Sequence, residues 1–427
     1  MPEPNTNQMM YVSSDVLELI LLRLPPKSLG RFKTVSKQWR SLLESNWFLE
    51  MHLSFQKSGK TRRKILAADH CNCGNPPTLR PRVSFKGGEA FVYLHCDATL
   101  PSMSCDGLIC IPEPGWINVL NPVTGKRLRF ASGPGHVFTL LKRRNSYPFT
   151  NDGVFTVYFP GYWAMGFGKD KVNGRYKVVR MLFDSNRYEV LDVNIGEWRK
   201  LSPPPYEVEA GRRSAYVNGS IYWSDILRGC RLLSLDLHTE EFHPVPLPTD
   251  IRFTVDTQIV NLEDHLALAT TLRNGDVELE LEIWIMDDDD DSAWSKTYSI
   301  SLACLDTMQF RQSAFKPVMV SKQGGDVLFR DNRQSVFRYR QLTDTVTQIC
   351  SCTDIISPYL ENMVRFENEQ VEPRTRVRCT FNIWADFPQG VPSSQPRVDM
   401  FHCKEIFRCL AGEDKTEKVC FVCSFAV

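Results

Sequence analysis

The sequence lacks both a large charge excess and a long apolar run. Its 51 Lys and Arg residues nearly balance 50 Asp and Glu residues, which gives a formal net charge of +1. Without a global field of one sign, we expect neither nucleic acid nor a membrane surface as a partner. We find no apolar run of the length that a transmembrane helix needs. The segment MPEPNTNQMM is polar and contains Pro, so we expect no signal peptide and a cytoplasmic or nuclear location.

The sequence also lacks the motifs of several common enzyme classes. It has no GxSxG elbow, no GxxxxGK[ST] phosphate loop and no HExxH zinc motif. Gly166-Phe167-Gly168 lacks the third Gly of a dinucleotide site, so we interpret it as a hairpin turn. Asp106 and Asp236 are predicted at strand turns, where Asp caps the backbone, rather than as catalytic carboxylates. We therefore expect no catalytic activity and no cofactor.

Cysteine is plentiful, but its spacing does not predict a metal site. The 14 cysteines are scattered and are expected to be reduced. Two groups come nearest to zinc-ligand spacing, namely His70 with Cys71 and Cys73, and Cys420-x-x-Cys423 with Cys409. A tetrahedral site needs four ligands, and neither group is followed by a second pair. The acidic run Asp287–Asp291 lacks the Gly and the terminal Glu of a calcium loop and predicts a solvated loop.

Residues 12–53 carry apolar side chains at helical spacing and predict three short helices. Ser13 and Ser14 are candidate N-caps, and Asp15 follows in the first turn. Leu17, Ile20, Leu21 and Leu24 form one apolar stripe, to which Val16, Leu19 and Leu22 add surface on other faces. A helix that is apolar nearly all round must be covered on more than one side. We expect its own neighbours to cover one face and a second protein to cover the other.

At these residues the segment resembles the F-box. Leu24-Pro25-Pro26-Lys27-Ser28-Leu29 matches the Leu-Pro-x-Lys-Ser-Leu turn of that family, and Trp39-Arg40-Ser41-Leu42 matches its third helix. Ser13 stands where Pro is usual, and Leu19 stands where Glu is common. The resemblance implies binding to the Skp-type adaptor of a cullin-RING ubiquitin ligase. By that resemblance the adaptor contacts fall on Val12, Leu17, Ile20, Leu21, Leu24, Pro25, Leu29, Val35 and Trp39. An ordinary amphipathic helical cap is the alternative.

From about residue 65 the pattern changes to short β-rich runs between turn signals. A hairpin, an alternating strand and an outer strand recur about every 45–60 residues, which is the spacing of propeller blades. A ring of such units buries both faces of each sheet and leaves only short edges. We therefore predict an α+β multidomain protein, with a small three-helix unit before an all-β propeller of roughly six blades. A pair of β-sandwiches is the alternative architecture.

The β-rich region resembles the F-box-associated domain of plant F-box proteins, a kelch-like module. The phrases that carry the resemblance include Ser104-Cys105-Asp106-Gly107-Leu108, Asn121-Pro122-Val123-Thr124-Gly125, Val217-Asn218-Gly219-x-Ile221-Tyr222-Trp223, Trp284-Ile285-Met286 and Ser357-Pro358-Tyr359-Leu360. The predicted domains are an F-box at 10–54, a basic linker at 55–64, the propeller at 65–366 and an extension at 367–427. The extension either completes the last blade or is loosely held.

Together these observations predict a non-catalytic adaptor that holds a target protein for ubiquitination and degradation. Arg212, Arg213, Arg228 and Arg231 lie near predicted turns and are candidate target contacts, with ordinary surface charge as the alternative. The identity of the target does not follow from the sequence. Two other functions stay open, a binding module that acts outside a ligase and a propeller enzyme of the kelch-oxidase or lyase kind.

Overall fold

A computed structural model shows the protein's fold. It describes residues 13–58, 64–70, 78–96, 102–113, 116–131, 164–183, 186–209, 212–226, 229–274, 278–287, 293–305, 310, 313–321, 325–351 and 353–364. The predicted extension at 367–427 lies outside these ranges, as do residues 59–63 of the predicted linker.

Residues 14–57 form four helices, one more than the sequence analysis expected. They are α1 (Ser14–Leu22), α2 (Pro26–Phe32), α3 (Lys37–Glu44) and α4 (Asn46–Lys57). The extra break lies at Ser45, whose extended backbone (φ −69°, ψ 141°) ends α3. The Ser45 hydroxyl then accepts a hydrogen bond from the Phe48 backbone N–H at 3.2 Å and caps α4. Between α1 and α2, the extended backbone of Pro25 and the Pro at the first position of α2 separate the two helices.

The four helices, which we call the helical unit, share one apolar core. Its fully buried members include Leu21, Leu29, Leu43 and Phe48. Met363, which follows the last strand of the chain's β-rich part, packs into the same core. The helical unit is therefore packed against the β-rich part rather than separated from it.

The β-rich part forms six four-stranded sheets within the described part of residues 64–359. The first contains β1 (Lys64–His70), β2 (Thr78–Lys86), β3 (Glu89–Cys96) and β24 (Asp354–Tyr359). The second contains β4 (Met103–Cys105), β5 (Leu108–Glu113), β6 (Trp116–Asn121) and β7 (Lys126–Ala131). The third contains β8 (Ala164–Lys169), β9 (Tyr176–Leu182), β10 (Arg187–Asp192) and β11 (Glu197–Lys200).

The remaining three sheets follow in chain order. The fourth contains β12 (Ala215–Val217), β13 (Ser220–Asp225), β14 (Arg231–Asp236) and β15 (Phe242–Val245). The fifth contains β16 (Gln258–Leu262), β17 (His265–Asn274), β18 (Glu278–Met286) and β19 (Trp294–Ser301). The sixth contains β20 (Lys316–Val320), β21 (Val327–Arg330), β22 (Val336–Arg340) and β23 (Thr345–Cys350).

The first sheet closes the ring with strands from both ends of the β-rich part. Its order is β2-β3-β1-β24, and β24 pairs antiparallel with β1 while β1 runs parallel to β3. The strands β4, β8, β12, β16, β20 and β24 neighbour one another in succession around the centre. The six-blade propeller is thus confirmed, and the sandwich alternative is excluded. Closure by β24 removes the free edges that an open array of blades would leave.

One local interpretation of the sequence was wrong. Gly166-Phe167-Gly168 is not a hairpin turn but lies inside the fully buried strand β8. A Cβ atom on Gly166 would lie 2.5 Å from the Ile221 Cγ2 atom of the next blade, and one on Gly168 would collide with the Tyr216 ring. Glycine is therefore required here for close packing between blades. In the sequence, such glycines cannot be told from the glycines of a turn.

Candidate functional site

The structure separates the predicted adaptor contacts into buried and exposed groups. Leu21 and Leu29 are 1% and 0% exposed and hold the helices together. Leu17, Leu24 and Trp39 are partly buried and pack against the same core. The exposed members are Ile20 (48%) and Val35 (58%), together with Pro25. Val12 lies outside the described residues.

Other apolar side chains of the helical unit are exposed as well. On α1, Val16 (49%) and Leu19 (52%) accompany Ile20 at spacings of three and four residues, which places the three on one helix face. The helical spacing of the sequence predicted apolar surface at Val16 and Leu19, but these two residues were not among the predicted adaptor contacts. On α4, Trp47 (52%) and Met51 (43%) form a second pair that it missed. Their spacing of four residues, which places both side chains on one helix face, is the sequence pattern that could have predicted them.

A buried histidine holds the Leu24–Pro25 turn against α4. The His52 side chain is 1% exposed, and its Nε2–H donates to the Leu24 carbonyl oxygen at 3.0 Å. Burial lowers the pKa of His52 below its usual 6.5, and the hydrogen bond to Leu24 opposes that shift only in part. The imidazole is therefore neutral near pH 7, and it links the segment of predicted adaptor contact to the helix behind it.

Two ion pairs clamp α4 onto the propeller. The Lys57 Nζ atom lies 2.5 Å from the Asp106 Oδ1 atom, and the Lys169 Nζ atom lies 2.8 and 2.9 Å from the two Glu50 carboxylate oxygens. Burial alone would lower the pKa of Lys57, but the charge and hydrogen bond of Asp106 outweigh it and raise that pKa. Asp106 is thus a docking residue in a hairpin with left-handed backbone (φ 52°).

The other candidate carboxylate, Asp236, has the predicted turn role. Its Oδ1 atom accepts hydrogen bonds from the backbone N–H groups of His238 at 2.6 Å and Thr239 at 2.9 Å. Within the described ranges, no group of three or more His, Cys, Asp and Glu residues is arranged to hold a metal ion. The side chain of His70 and the residues Cys71, Cys73, Cys409, Cys420, Cys423 and 288–291 lie outside them. The helices that the structure describes include none long and apolar enough to cross a membrane.

The four candidate arginines have different environments. Arg212 donates to the carbonyl oxygens of Thr257 and Val255, at 2.8 and 2.9 Å, and is held in the fold. Arg231 lies 2.8 Å from the Asp225 carboxylate and stacks over the Tyr206 ring at 4.3 Å. Arg228 lies outside the described residues. Arg213 lines a cavity in the central channel, which the inner strands of the blades surround. Neither Arg212 nor Arg231 lines this cavity.

The central channel encloses a cavity of about 190 Å³ with a different charge at each end. At the helix-facing end, Lys57 meets Asp106 and lies near Asp264. At the distal end, Arg213, Lys316 and Arg330 converge near Asp354. Lys316 and Arg330 were not predicted as site residues from the sequence. The sequence pattern that could have indicated Lys316 is a basic residue at the first position of an inner strand.

Comparisons with known proteins agree with this architecture. The F-box domain family matches residues 12–51, and the F-box associated beta propeller domain family matches residues 97–361. An F-box/LRR-repeat protein of Arabidopsis thaliana is 49% identical over 372 residues, which cover 85% of this chain and 84% of that protein. An Arabidopsis F-box/kelch-repeat protein is 46% identical over 367 residues, with 84% of each chain covered.

A solved structure gives a much more distant likeness. A chain in the crystal structure of a nidogen/laminin complex aligns with 67% of this chain and 97% of its own length, at 12% identity and a TM-score of 0.36. The two family matches and the Arabidopsis relatives agree with the helical unit and the six-bladed ring. The chain therefore belongs to the F-box proteins that carry an F-box associated β-propeller domain.

Proposed function

We propose that this protein is the substrate-recognition subunit of a Skp–cullin–F-box ubiquitin ligase. In this role the helical unit binds the Skp-type adaptor, and the propeller holds a target protein for ubiquitination and proteasomal degradation. The chain contributes no bond-breaking chemistry of its own. It raises the effective concentration of target lysines near the charged ubiquitin-conjugating enzyme.

The observation that carries the proposal is the uncovered apolar surface of the F-box helices. Ile20 and Val35 remain about half exposed or more, although Leu21 and Leu29 of the same helical unit are fully buried. Exposed apolar side chains are individually common, but Val16, Leu19 and Ile20 form a contiguous helix face. A second protein that covers this face would remove apolar surface from water at about 25 cal/mol per Å².

The clamp between α4 and the propeller supports the bridging role. Lys57–Asp106 and Glu50–Lys169 join the helical unit to two different blades, and Met363 adds an apolar contact. A target on the propeller would therefore be held at a defined position relative to the adaptor. We propose a cytoplasmic or nuclear location, where such ligases and their targets meet.

Co-purification from cells tests the proposal. We expect the tagged chain to retain the Skp-type adaptor and the Leu24→Ala/Pro25→Ala double variant to lose it, while the propeller stays folded. A Val172→Ala variant is the matched control, because Val172 is 70% exposed on the propeller. Equal adaptor recovery with all three proteins would overturn the assignment. Proteasome inhibition during the same purification would show which target proteins accumulate on the chain.

A further inference from the structure

Three cationic side chains meet at the distal end of the propeller channel. Lys316 is the first residue of β20, Arg330 is the last residue of β21, and the two are directly opposite each other in the strand register. Side chains at such positions have Cβ atoms about 5 Å apart. Arg213, just before β12, lines the same cavity and acts electrostatically on both. Ring closure thus brings together charges from two blades, the fourth and the sixth.

The acidic groups nearby do not balance these three charges. The Arg330 Nη1 atom lies 3.5 Å from the Asp354 Oδ1 atom, and Arg213 Nη1–H donates to the Ile356 carbonyl oxygen at 3.4 Å. Asp331 also acts on Arg330, so within the described ranges two carboxylates face three cations and one positive charge is left without a counter-charge. Among the residues that the structure describes, the Lys316 ammonium group has no carboxylate partner.

This arrangement is electrostatically unfavourable when the channel holds only water. Burial, and then repulsion from Arg213 and Arg330, lowers the pKa of Lys316 well below its usual value. Burial and Arg213 lower the pKa of Arg330 to about 10, against the opposing effect of Asp354 and Asp331. Partly buried charges of one sign normally have a counter-charge, because both desolvation and repulsion otherwise cost free energy.

We propose that the distal end of the channel binds a phosphate group, held by Arg213, Lys316 and Arg330. Guanidinium groups bind phosphate oxygens with paired N–H donors, and a lysine adds a compact positive charge. A phosphate ester carries a charge of about −1.5 to −2 at neutral pH, so it would supply the counter-charge that the cluster lacks. The cavity of about 190 Å³ has room for the group. This proposal does not rest on the proposed ligase function.

The distal position suits a ligand that arrives from outside the protein. Lys57 and α4 lie at the opposite, helix-facing end of the channel, where Lys57 is already paired with Asp106. The phosphate can belong to a small molecule or to a phosphorylated side chain of a protein. The chemistry of the site is the same in both cases, so the experiment has to distinguish the two sources.

Thermal unfolding of the full chain tests the site. In phosphate-free buffer we expect Lys316→Met to melt above the wild-type protein, because it removes one of three repelling charges. We expect added inorganic phosphate or a phosphoserine peptide to raise the wild-type Tm saturably, as a ligand of the native state must. Any smaller, non-saturating rise in the Tm of Lys316→Met measures the general salt effect of phosphate, and this rise is subtracted from that of the wild-type protein. Lys200→Gln, at an exposed outer-strand position, should respond like the wild-type protein.

Calorimetric titration separates the outcomes. Loss of one charged contact should weaken binding about tenfold or more in Lys316→Met and, as a second variant, in Arg213→Gln. Stronger binding of the phosphopeptide than of inorganic phosphate identifies a protein source, and equal binding identifies a small molecule. The proposal is overturned if the wild-type protein shows no saturable binding in either arm. It is also overturned if Lys316→Met and Arg213→Gln bind as well as Lys200→Gln. Adaptor binding by the same samples keeps this result separate from the ligase proposal.

Discussion

The ammonium group of Lys57, the last residue of an F-box helix, lies 2.5 Å from the carboxylate of Asp106 in a propeller hairpin. The Asp106 side chain is only 6% exposed. Its backbone is also held in place, because the Asn362 side chain donates a hydrogen bond to the Asp106 carbonyl oxygen. Helix α4 is therefore tied to the propeller at a residue that cannot easily move. This contact fixes α4 on the propeller, as the proposed role of presenting a target at a set distance requires.

Breaking this ion pair should loosen α4. For Asp106→Asn we expect a loss of about 1–2 kcal/mol in unfolding free energy, since the contact is charged but Lys57 is partly exposed. We also expect faster amide exchange in α4. The measurement is denaturant unfolding together with hydrogen exchange. Lys296→Gln is the matched control, because it removes the ion pair that the exposed Lys296 of outer strand β19 makes with Glu282 and should leave α4 unchanged. Unchanged exchange in Asp106→Asn would show that the pair does not hold the helix.

The stability of the helical unit should fall in mild acid because of His52. Its pKa in the folded protein lies below the 6.5 of the unfolded chain, so the unfolded state binds more protons below that pH. The full stability is thus present above about pH 6.5 and decreases as the pH falls below it. Hydrogen exchange of α1 and α4 at about pH 7.5 and about pH 5.5, corrected for intrinsic rates, measures the effect.

His52→Gln provides the control for that measurement. Glutamine keeps an N–H donor for the Leu24 carbonyl oxygen but does not titrate, so the variant should lose much of the pH dependence of α1 and α4. If the variant and the wild-type protein lose protection equally on acidification, His52 is not the responsible group.

The two β8 glycines should resist substitution. Gly166→Ala would place a methyl group 2.5 Å from the Ile221 side chain, so we expect a loss of about 1–3 kcal/mol in unfolding free energy from overpacking. Gly30→Ala is the opposite control, because nothing lies within 4 Å of its added Cβ in α2. There, alanine should stabilise the helix by up to about 1 kcal/mol. Thermal unfolding of both variants measures the difference, and a neutral Gly166→Ala would contradict the close packing of blades.

Much of the fold followed from local patterns, because each blade repeats its own turns and strand alternation. The helical spacing of residues 14–24 also predicted the apolar surface of α1. It did not show which side would be covered, since Leu21 and Ile20 are equally apolar and only packing by Leu29, Leu43 and Phe48 separates them. The break at Ser45 was missed because one serine cap stands within a continuous helical pattern.

The channel cluster was beyond the reach of the sequence pattern for a different reason. Arg213 was predicted as a candidate target contact near a turn, whereas Lys316 and Arg330 were not among the predicted site residues. The three come together only when β12, β20 and β21 take their places in a closed ring. The interpretation of the Gly-Phe-Gly segment as a turn was wrong for a similar reason, because the need for glycine comes from Ile221 and Tyr216 in the next blade.

The most direct test of the central claim is the affinity of a purified Skp-type adaptor for the full-length chain. We predict that Ile20→Asp with Val35→Asp weakens binding by about tenfold or more, since both side chains are exposed on the proposed contact surface. Leu342→Asp, at a propeller position that is 87% exposed, should bind like the wild-type protein. If the double variant stays folded and binds the adaptor with wild-type affinity, the proposed adaptor surface is wrong.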